Sequence, residues 1–258
     1  MNILKKIFAI LVISLLVVTT GCAKKQEDTL NEIQQRGKLI VGVKYDTPPF
    51  GQKTQRGGVA GFDVDLARAI AREMFGNPNA VEFKQVTAGN RILALNSGQV
   101  DMIIATMTIT SSRKQIVDFS VPYFYAGQAI LVPKNSEITS IRQLNNKKVA
   151  VVFGTTAEKS LMQFAPESQV LGYKTYTSAY QALKQGRVSA MTSDDTILLG
   201  IAMHDKSVKL LPKRYTKEPY AIAVKKGSYH LLNKLNFIIA DLTRTGQLRL
   251  LKYSWIKY

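Results

Sequence analysis

Between Leu39 and Trp255 short apolar runs alternate with stretches whose apolar positions recur every three to four residues, the pattern of strands and amphipathic helices in an α/β fold. Leu39 to Val43 reads as a strand. Asp63 is placed to cap a helix with the stripe Leu66, Ala67, Ile70, Ala71 and Met74, which Gly76 and Pro78 stop. Val81 to Val86 alternates as a strand, Arg91 to Asn96 is a short helix closed by Gly98, and Met102 to Thr106 is the next strand. Further strands are expected at Val149 to Phe153 and Val188 to Thr192. Ser228 caps a late helix carrying Leu231, Leu235, Ile238 and Leu242 on one face, and Leu248 to Trp255 follows Gly246.

The run Ala94-Leu95-Asn96-Ser97-Gly98-Gln99-Val100-Asp101 returns in outline 88 residues later as Ala182-Leu183-Lys184-Gln185-Gly186-Arg187-Val188-Ser189. A single echo at that spacing points to two lobes of similar design rather than a solenoid. The apolar stretches Ala129 to Val132 and Tyr220 to Val224 are placed to carry the chain from one lobe to the other. Lobe one then comprises residues 38–126 and 224–258, with lobe two, residues 127–223, inserted between them. The tail after Tyr229 has no strand partner of its own and packs on lobe one.

At the N-terminus Lys5 and Lys6 precede an apolar run from Ile7 to Val18, too short to span a bilayer, and the small residues Thr19-Thr20-Gly21 lead to Cys22. Residues 1–21 read as an export signal. Small residues before a lone cysteine resemble the lipobox of bacterial lipoproteins, which implies a lipid on Cys22, although Thr19 stands where that pattern usually has Leu. Residues 22–37 are expected to be a tether.

Charge narrows the picture less than it first suggests. Lys and Arg number 35 against 18 acids, a net +17, yet no basic run exceeds a pair such as Lys147-Lys148, so no nucleic-acid partner is expected. One cysteine excludes an internal disulfide and a cysteine-based zinc site, and His204 and His230 stand too far apart to suggest a metal centre. No cofactor and no catalytic nucleophile with its base is evident.

Three places offer groups suited to a small charged ligand. Thr106 to Arg113 ends a strand and opens a short helix, where Thr106, Thr108, backbone N–H groups and a bidentate Arg113 suit a carboxylate. Gly154-Thr155-Thr156-Ala157-Glu158 follows another strand; Thr155 with Glu158 fits a capping box, and its N–H groups can add to the first site. Ser193-Asp194-Asp195 can receive an ammonium. Together they suit a zwitterion, its carboxylate on Arg113 and its ammonium on Asp194.

With Gly61-Phe62-Asp63-Val64-Asp65-Leu66, Ala105 to Arg113 and Val117-Asp118-Phe119-Ser120, the chain resembles the family 3 solute-binding proteins of bacterial amino-acid ABC transporters. The resemblance runs from about Gly37 to Trp255 and implies a type II periplasmic-binding-protein fold, two α/β lobes joined by two hinge strands. It implies Arg113 on the α-carboxylate with Thr106 and Thr108 assisting, Thr155 or Thr156 contributing from lobe two, and Asp194 on the α-ammonium. Lys44, Asp46 and Phe50 are added as ligand contacts. Arg91 matches the position that acidic-amino-acid binders direct at a side-chain carboxylate, so glutamate or aspartate is expected, with glutamine as the alternative. The implied partners are ABC permease subunits, and the protein is expected to act as a monomer, lipid-anchored on the outer face of the cytoplasmic membrane or periplasmic. Cyclohexadienyl dehydratases look like this fold turned enzyme, but they need a further cleft carboxylate that the sequence does not single out; a ligand sensor feeding a partner receptor is a further alternative.

The lipobox-like stretch yields a direct test. Cys22→Ser should release the exported protein from the membrane fraction, as judged by fractionation and immunoblotting. A variant retained as firmly as the parent would exclude the lipid anchor.

Overall fold

The computed structural model describes residues 29–256, so the signal segment 1–21, Cys22 and the start of the tether lie outside the described residues. The rest of the expected tether is not one: Thr29–Arg36 forms helix α1. Leu30 and Ile33 share one face, Ile33 is fully buried, and the Thr29 hydroxyl bonds that of Ser228 at 3.1 Å, so burial of this face holds the segment on the C-terminal part of the chain.

The first chain segment gives the lobe-one sheet four of its five strands, β1 (Leu39–Val43), β5 (Val81–Gln85), β6 (Met102–Ile103) and β7 (Val117–Phe119). Between β1 and β5 lie the small meander β2 (Asp46–Thr47), β3 (Gly51–Lys53), β4 (Val59–Ala60) and helix α2 (Phe62–Phe75). Helix α3 (Arg91–Asn96) precedes β6, and the single turn α4 (Ser111–Lys114) precedes β7. Strand β8 (Phe124–Ala126) leads out, and β9 (Gln128–Pro133) enters the second lobe. There β10 (Lys148–Val152), α5 (Ala157–Phe164), β11 (Gln169–Tyr173), α6 (Tyr176–Lys184), β12 (Ala190–Asp194), α7 (Asp195–Ala202) and β13 (Val208–Leu210) follow in order. The chain returns through β14 (Glu218–Tyr220) and β15 (Ala223–Lys225), and ends in α8 (Tyr229–Arg244) and α9 (Gln247–Trp255).

Two five-stranded sheets result, in the orders β5-β1-β6-β15-β7 and β11-β10-β12-β9-β13. Their designs are equivalent, with three parallel strands followed by an antiparallel fourth. That fourth strand, β15 or β9, is in each case the one that has just arrived from the other lobe. The two connecting strands β8 and β14 pair antiparallel with Tyr220 opposite Phe124. This is the bilobed α/β fold typical of type II periplasmic-binding proteins, and the sequence echo marks equivalent helix-to-strand corners, α3 to β6 and α6 to β12.

Several local expectations change. The run Tyr220 to Val224 is not one strand: Tyr220 ends the connecting ladder, Ala221 N–H turns to the Met107 carbonyl at 3.1 Å, and Ala223 starts pairing in the lobe-one sheet. Gly61, at φ 146°, occupies the cap position of α2, one place before the first helical residue, and Asp63 lies inside the helix with its carboxylate buried. Ser228 stands at the start of α8 without a side-chain cap bond. The Thr155–Glu158 capping box does not form, because the cap position is Thr156 and the Thr155 hydroxyl donates to Val152 O at 2.7 Å. Thr110 does cap α4, accepting the Arg113 N–H at 3.2 Å.

Where β8 and β14 meet lobe one, five rings pack together. Phe50 lies edge-on to Phe62, Phe124 and Tyr220 at 5.9, 5.1 and 5.4 Å between centroids, and Tyr123 stands 6.0 Å from Phe62. Such pairs add to the burial of large apolar surfaces and fix the connecting strands on the first lobe. Phe62→Ala empties the middle of this cluster and should cost about 3–5 kcal/mol, read as a lower denaturant midpoint. A loss well under 1 kcal/mol would show that the cluster does not hold the lobe.

Candidate functional site

The carboxyl ends of the parallel strands in both sheets face one another across a cleft, the place where open α/β sheets put ligand groups. Strand β1 delivers Lys44, the segment after β6 delivers Thr106 and Thr108, and α3 and α4 supply Arg91 and Arg113. From the other lobe come the turn Gly154 to Thr156, Asp194 at the end of β12, Tyr176 at the start of α6, and Gln128 at the start of β9. Glu218 and Tyr220 arrive on the connecting strand.

Arg91 is 1% exposed, and its guanidinium is held by backbone carbonyls: Nη1 donates to Ala105 O at 2.6 Å and Thr106 O at 3.4 Å, and Nη2 reaches across the cleft to Gly154 O at 3.2 Å. Arg113 Nη2 donates to that same Gly154 carbonyl at 2.8 Å, while its Nη1 donates to Thr108 O at 2.7 Å. Burial, and next the neighbouring Arg113, lower the Arg91 pKa to about 9. Burial likewise lowers that of Arg113. Gly154 has φ 77°, and a Cβ there would stand 2.4 Å from the Ala88 carbonyl, so the turn reaches the arginines only without a side chain.

Thr106 is a junction. Its hydroxyl accepts from Lys44 Nζ at 2.7 Å, its N–H donates to Asp63 Oδ2 at 2.9 Å, and its φ of 47° is left-handed. The other Asp63 oxygen accepts from the Tyr123 hydroxyl at 2.9 Å. Burial raises the Asp63 carboxyl to about 7 and lowers the Lys44 ammonium, which also lies 4.8 Å from the Tyr176 ring centroid. Across the cleft the Tyr176 N–H donates to Asp46 at 3.1 Å.

Asp194 accepts from Gln128 Nε2 and from the Tyr220 hydroxyl, and burial followed by nearby Glu218 raises its pKa. Gln128 Nε2 also reaches Thr156 Oγ1 at 3.3 Å, and that hydroxyl donates to Glu218 at 2.9 Å. Among the described residues, the buried side-chain atoms without a hydrogen-bond partner are Arg91 Nε and Gln128 Oε1, both in this cleft. A buried unpaired polar atom is costly unless something completes it.

Of the residues expected from sequence, Lys44, Asp46, Arg91, Thr106, Thr108, Arg113, Thr156 and Asp194 come together. Phe50 packs wholly within the aromatic cluster behind Tyr220, and the Thr155 hydroxyl is spent on its own turn. Asp63, Gln128, Tyr176 and Glu218 were not anticipated as site residues. Both Asp63 oxygens are taken by Thr106 and Tyr123, so this carboxyl supports the cleft wall. No group of three or more His, Cys, Asp or Glu able to hold a metal occurs among the described residues.

The family model for bacterial extracellular solute-binding proteins, family 3, matches residues 39–258. The chain belongs to that family. Membership of a family of extracellular solute-binding proteins makes this chain an extracytoplasmic solute-binding protein rather than an enzyme. The family's similarity to this chain extends to the ABC transporter glutamine-binding protein GlnH of Bacillus subtilis, 40% identical over 98% of each chain. The glutamine-binding protein of Geobacillus stearothermophilus is 45% identical over 77% of each. Among solved structures, the cysteine-binding protein of Campylobacter jejuni superposes with a TM-score of 0.85 at 35% identity, covering 89% of this chain and 93% of that one. Family members with different named ligands thus share the fold closely, and selectivity has to be sought in the cleft side chains.

The Asp63 carboxyl gives a test with a definite sign. Its folded pKa of about 7 is raised from 3.8, so the unfolded chain releases this proton first, and the stability it contributes is present below pH ~4 and lost as pH climbs to about 7. Between about pH 4.5 and 7.5 the denaturant midpoint of the parent should therefore fall relative to that of Asp63→Asn. A constant difference across that range would refute a buried, raised carboxyl.

Proposed function

We propose that the protein is the receptor of an ABC importer for glutamine, held at the membrane by a lipid on Cys22, acting as a monomer and delivering its ligand to permease subunits. Arg113 takes the α-carboxylate, and Asp194, assisted by Gln128 and Tyr220, takes the α-ammonium. The lobes move about β8 and β14 to admit the ligand.

The observation that carries glutamine over an acidic ligand is the charge balance of the cleft. Once Arg113 and Asp194 are assigned to the zwitterion, Lys44 and Arg91 remain as buried basic groups and Asp63 and Glu218 as buried acids, with half-buried Asp46 beside them. Burial pushes both Lys44 and Asp63 toward their neutral forms, so no spare cation awaits a second carboxylate. A neutral side chain leaves that balance intact. A glutamate side chain adds a buried negative charge, and an uncompensated ion in such a setting costs several kcal/mol. Arg91, from which an acidic ligand was expected, and Arg113 both bond backbone carbonyls through their terminal nitrogens. Arg91 is 1% exposed whereas Arg113 stays partly exposed, and the more accessible guanidinium is the better placed to exchange a carbonyl for a carboxylate. The two glutamine-binding relatives support the same reading.

Calorimetry against the twenty amino acids tests it, with glutamine expected to bind tightest and glutamate at least about tenfold more weakly. Arg113→Ala and Asp194→Ala should each weaken glutamine well over tenfold, since truncating one partner of a buried charge pair costs about 2–5 kcal/mol. A parent that prefers glutamate would return Arg91 to the side-chain carboxylate.

A further inference from the structure

Lys44, Arg91, Thr106, Thr108 and Asp194 are all buried, so an amino acid reaches them only when the lobes part. Besides the arginine-bound turn at Gly154, the lobes meet where Gly200 of α7 faces Pro48 and Pro49, in the corner between β2 and β3. A Cβ at Gly200 would lie 2.5 Å from the Pro48 carbonyl oxygen, 2.9 Å from its carbon and 3.2 Å from Pro49 Cδ. These are backbone and ring atoms, which cannot swing aside as the end of a flexible side chain does.

Gly200 lies inside α7, outside the left-handed region, so its own helix does not require glycine. Glycine is the poorest helix former after proline, and local propensity argues against it here. What excludes a side chain is the opposite lobe. A crevice of about 160 Å³, lined by Pro48, Thr196, Gly200, Met203 and Trp255 among others, opens beside the contact.

We infer that Gly200 is a positioning residue for ligand capture: its missing side chain sets how closely lobe two approaches Pro48-Pro49, and through that approach how tightly the cleft holds its amino acid. This rests on the reading of the cleft as one that closes on its ligand. It requires no contact between Gly200 and the ligand, and it does not depend on which amino acid is bound.

Gly200→Ala and Gly200→Leu form a graded series that the helix tolerates when the lobes are apart. Melting without ligand should match or exceed that of the parent. Affinity for glutamine should fall about tenfold to a hundredfold in the Ala variant, the scale of overpacking a fitted contact, and further in the Leu variant. Small-angle scattering at saturating glutamine should show less compaction than in the parent. If glutamine does not bind the parent, the ligand reading fails, and the same series is run with whichever of the twenty amino acids binds tightest. A parent that does not compact at saturation refutes closure itself, and with it the proposal. A parent that compacts, with a Gly200→Ala variant that binds and compacts equally, overturns the role of Gly200 alone. So does a variant whose ligand-free melting falls in step with its affinity, since that marks an ordinary packing residue.

Discussion

The buried guanidinium of Arg91 is the constraint around which the cleft is arranged. A full charge with 1% exposure has lost its water, and what replaces that water is a set of backbone carbonyls, Ala105 and Thr106 from one lobe and Gly154 from the other. Carbonyl dipoles can hold a guanidinium only at short range and in fixed directions, so the segment after β6 and the turn before α5 must both be in place at once. Thr106 meets this demand in a left-handed conformation fixed from two sides, by Asp63 on its N–H and Lys44 on its hydroxyl. Gly154 meets it by lacking a side chain. On the proposed hinge motion, parting the lobes would return the guanidinium to water and remove the Gly154 bond to Arg113 together, tying the state of the charge to the state of the hinge.

The topology makes such coupling unavoidable. Because the antiparallel fourth strand of each sheet is the continuation of a connecting strand, β9 after β8 and β15 after β14, movement at the connection is transmitted directly into both sheets. Asp194, Gln128 and Tyr220 sit at this crossing: Asp194 ends β12, Gln128 begins β9 opposite it, and Tyr220 ends β14. The proposed ammonium site is therefore made by the hinge itself, and the aromatic cluster of Phe50, Phe62, Tyr123 and Phe124 gives that hinge a rigid seat on lobe one.

What the sequence made legible and what it hid divide along physical lines. Periodicity located β1, α3 and the stripe of α2, since burial of an apolar face is written locally. The meeting of Thr106, Thr108, Arg113 and Asp194 in one cleft was legible because they lie at strand ends that open helices, and family resemblance pointed to the same positions. Asp63 was misread as a cap because an acid near a helix start ordinarily faces solvent; only the partners Thr106 and Tyr123, 43 and 60 residues away, turn it inward. Tyr176 and Gln128 carry no local signal and become site residues through the opposition of the two lobes. Arg91 was legible as a cleft residue, but no spacing rule reveals that its partners in the structure are carbonyls of both lobes.

The contrast between the outside and the inside of the molecule bears on selectivity. A chain with a net +17 draws anions from a distance, and by that measure glutamate would be favoured over glutamine at encounter. That attraction acts through water and is screened within roughly 8 Å at physiological ionic strength. The groups proposed to decide retention lie beyond the reach of that screening, in a cleft where buried Lys44 and Arg91 stand among buried Asp63 and Glu218. Most of the excess cations lie on the solvated surface and set the rate at which charged solutes arrive. On the proposed reading the buried set determines which of them can be desolvated and kept, because a neutral side chain is the one whose burial adds no unanswered charge.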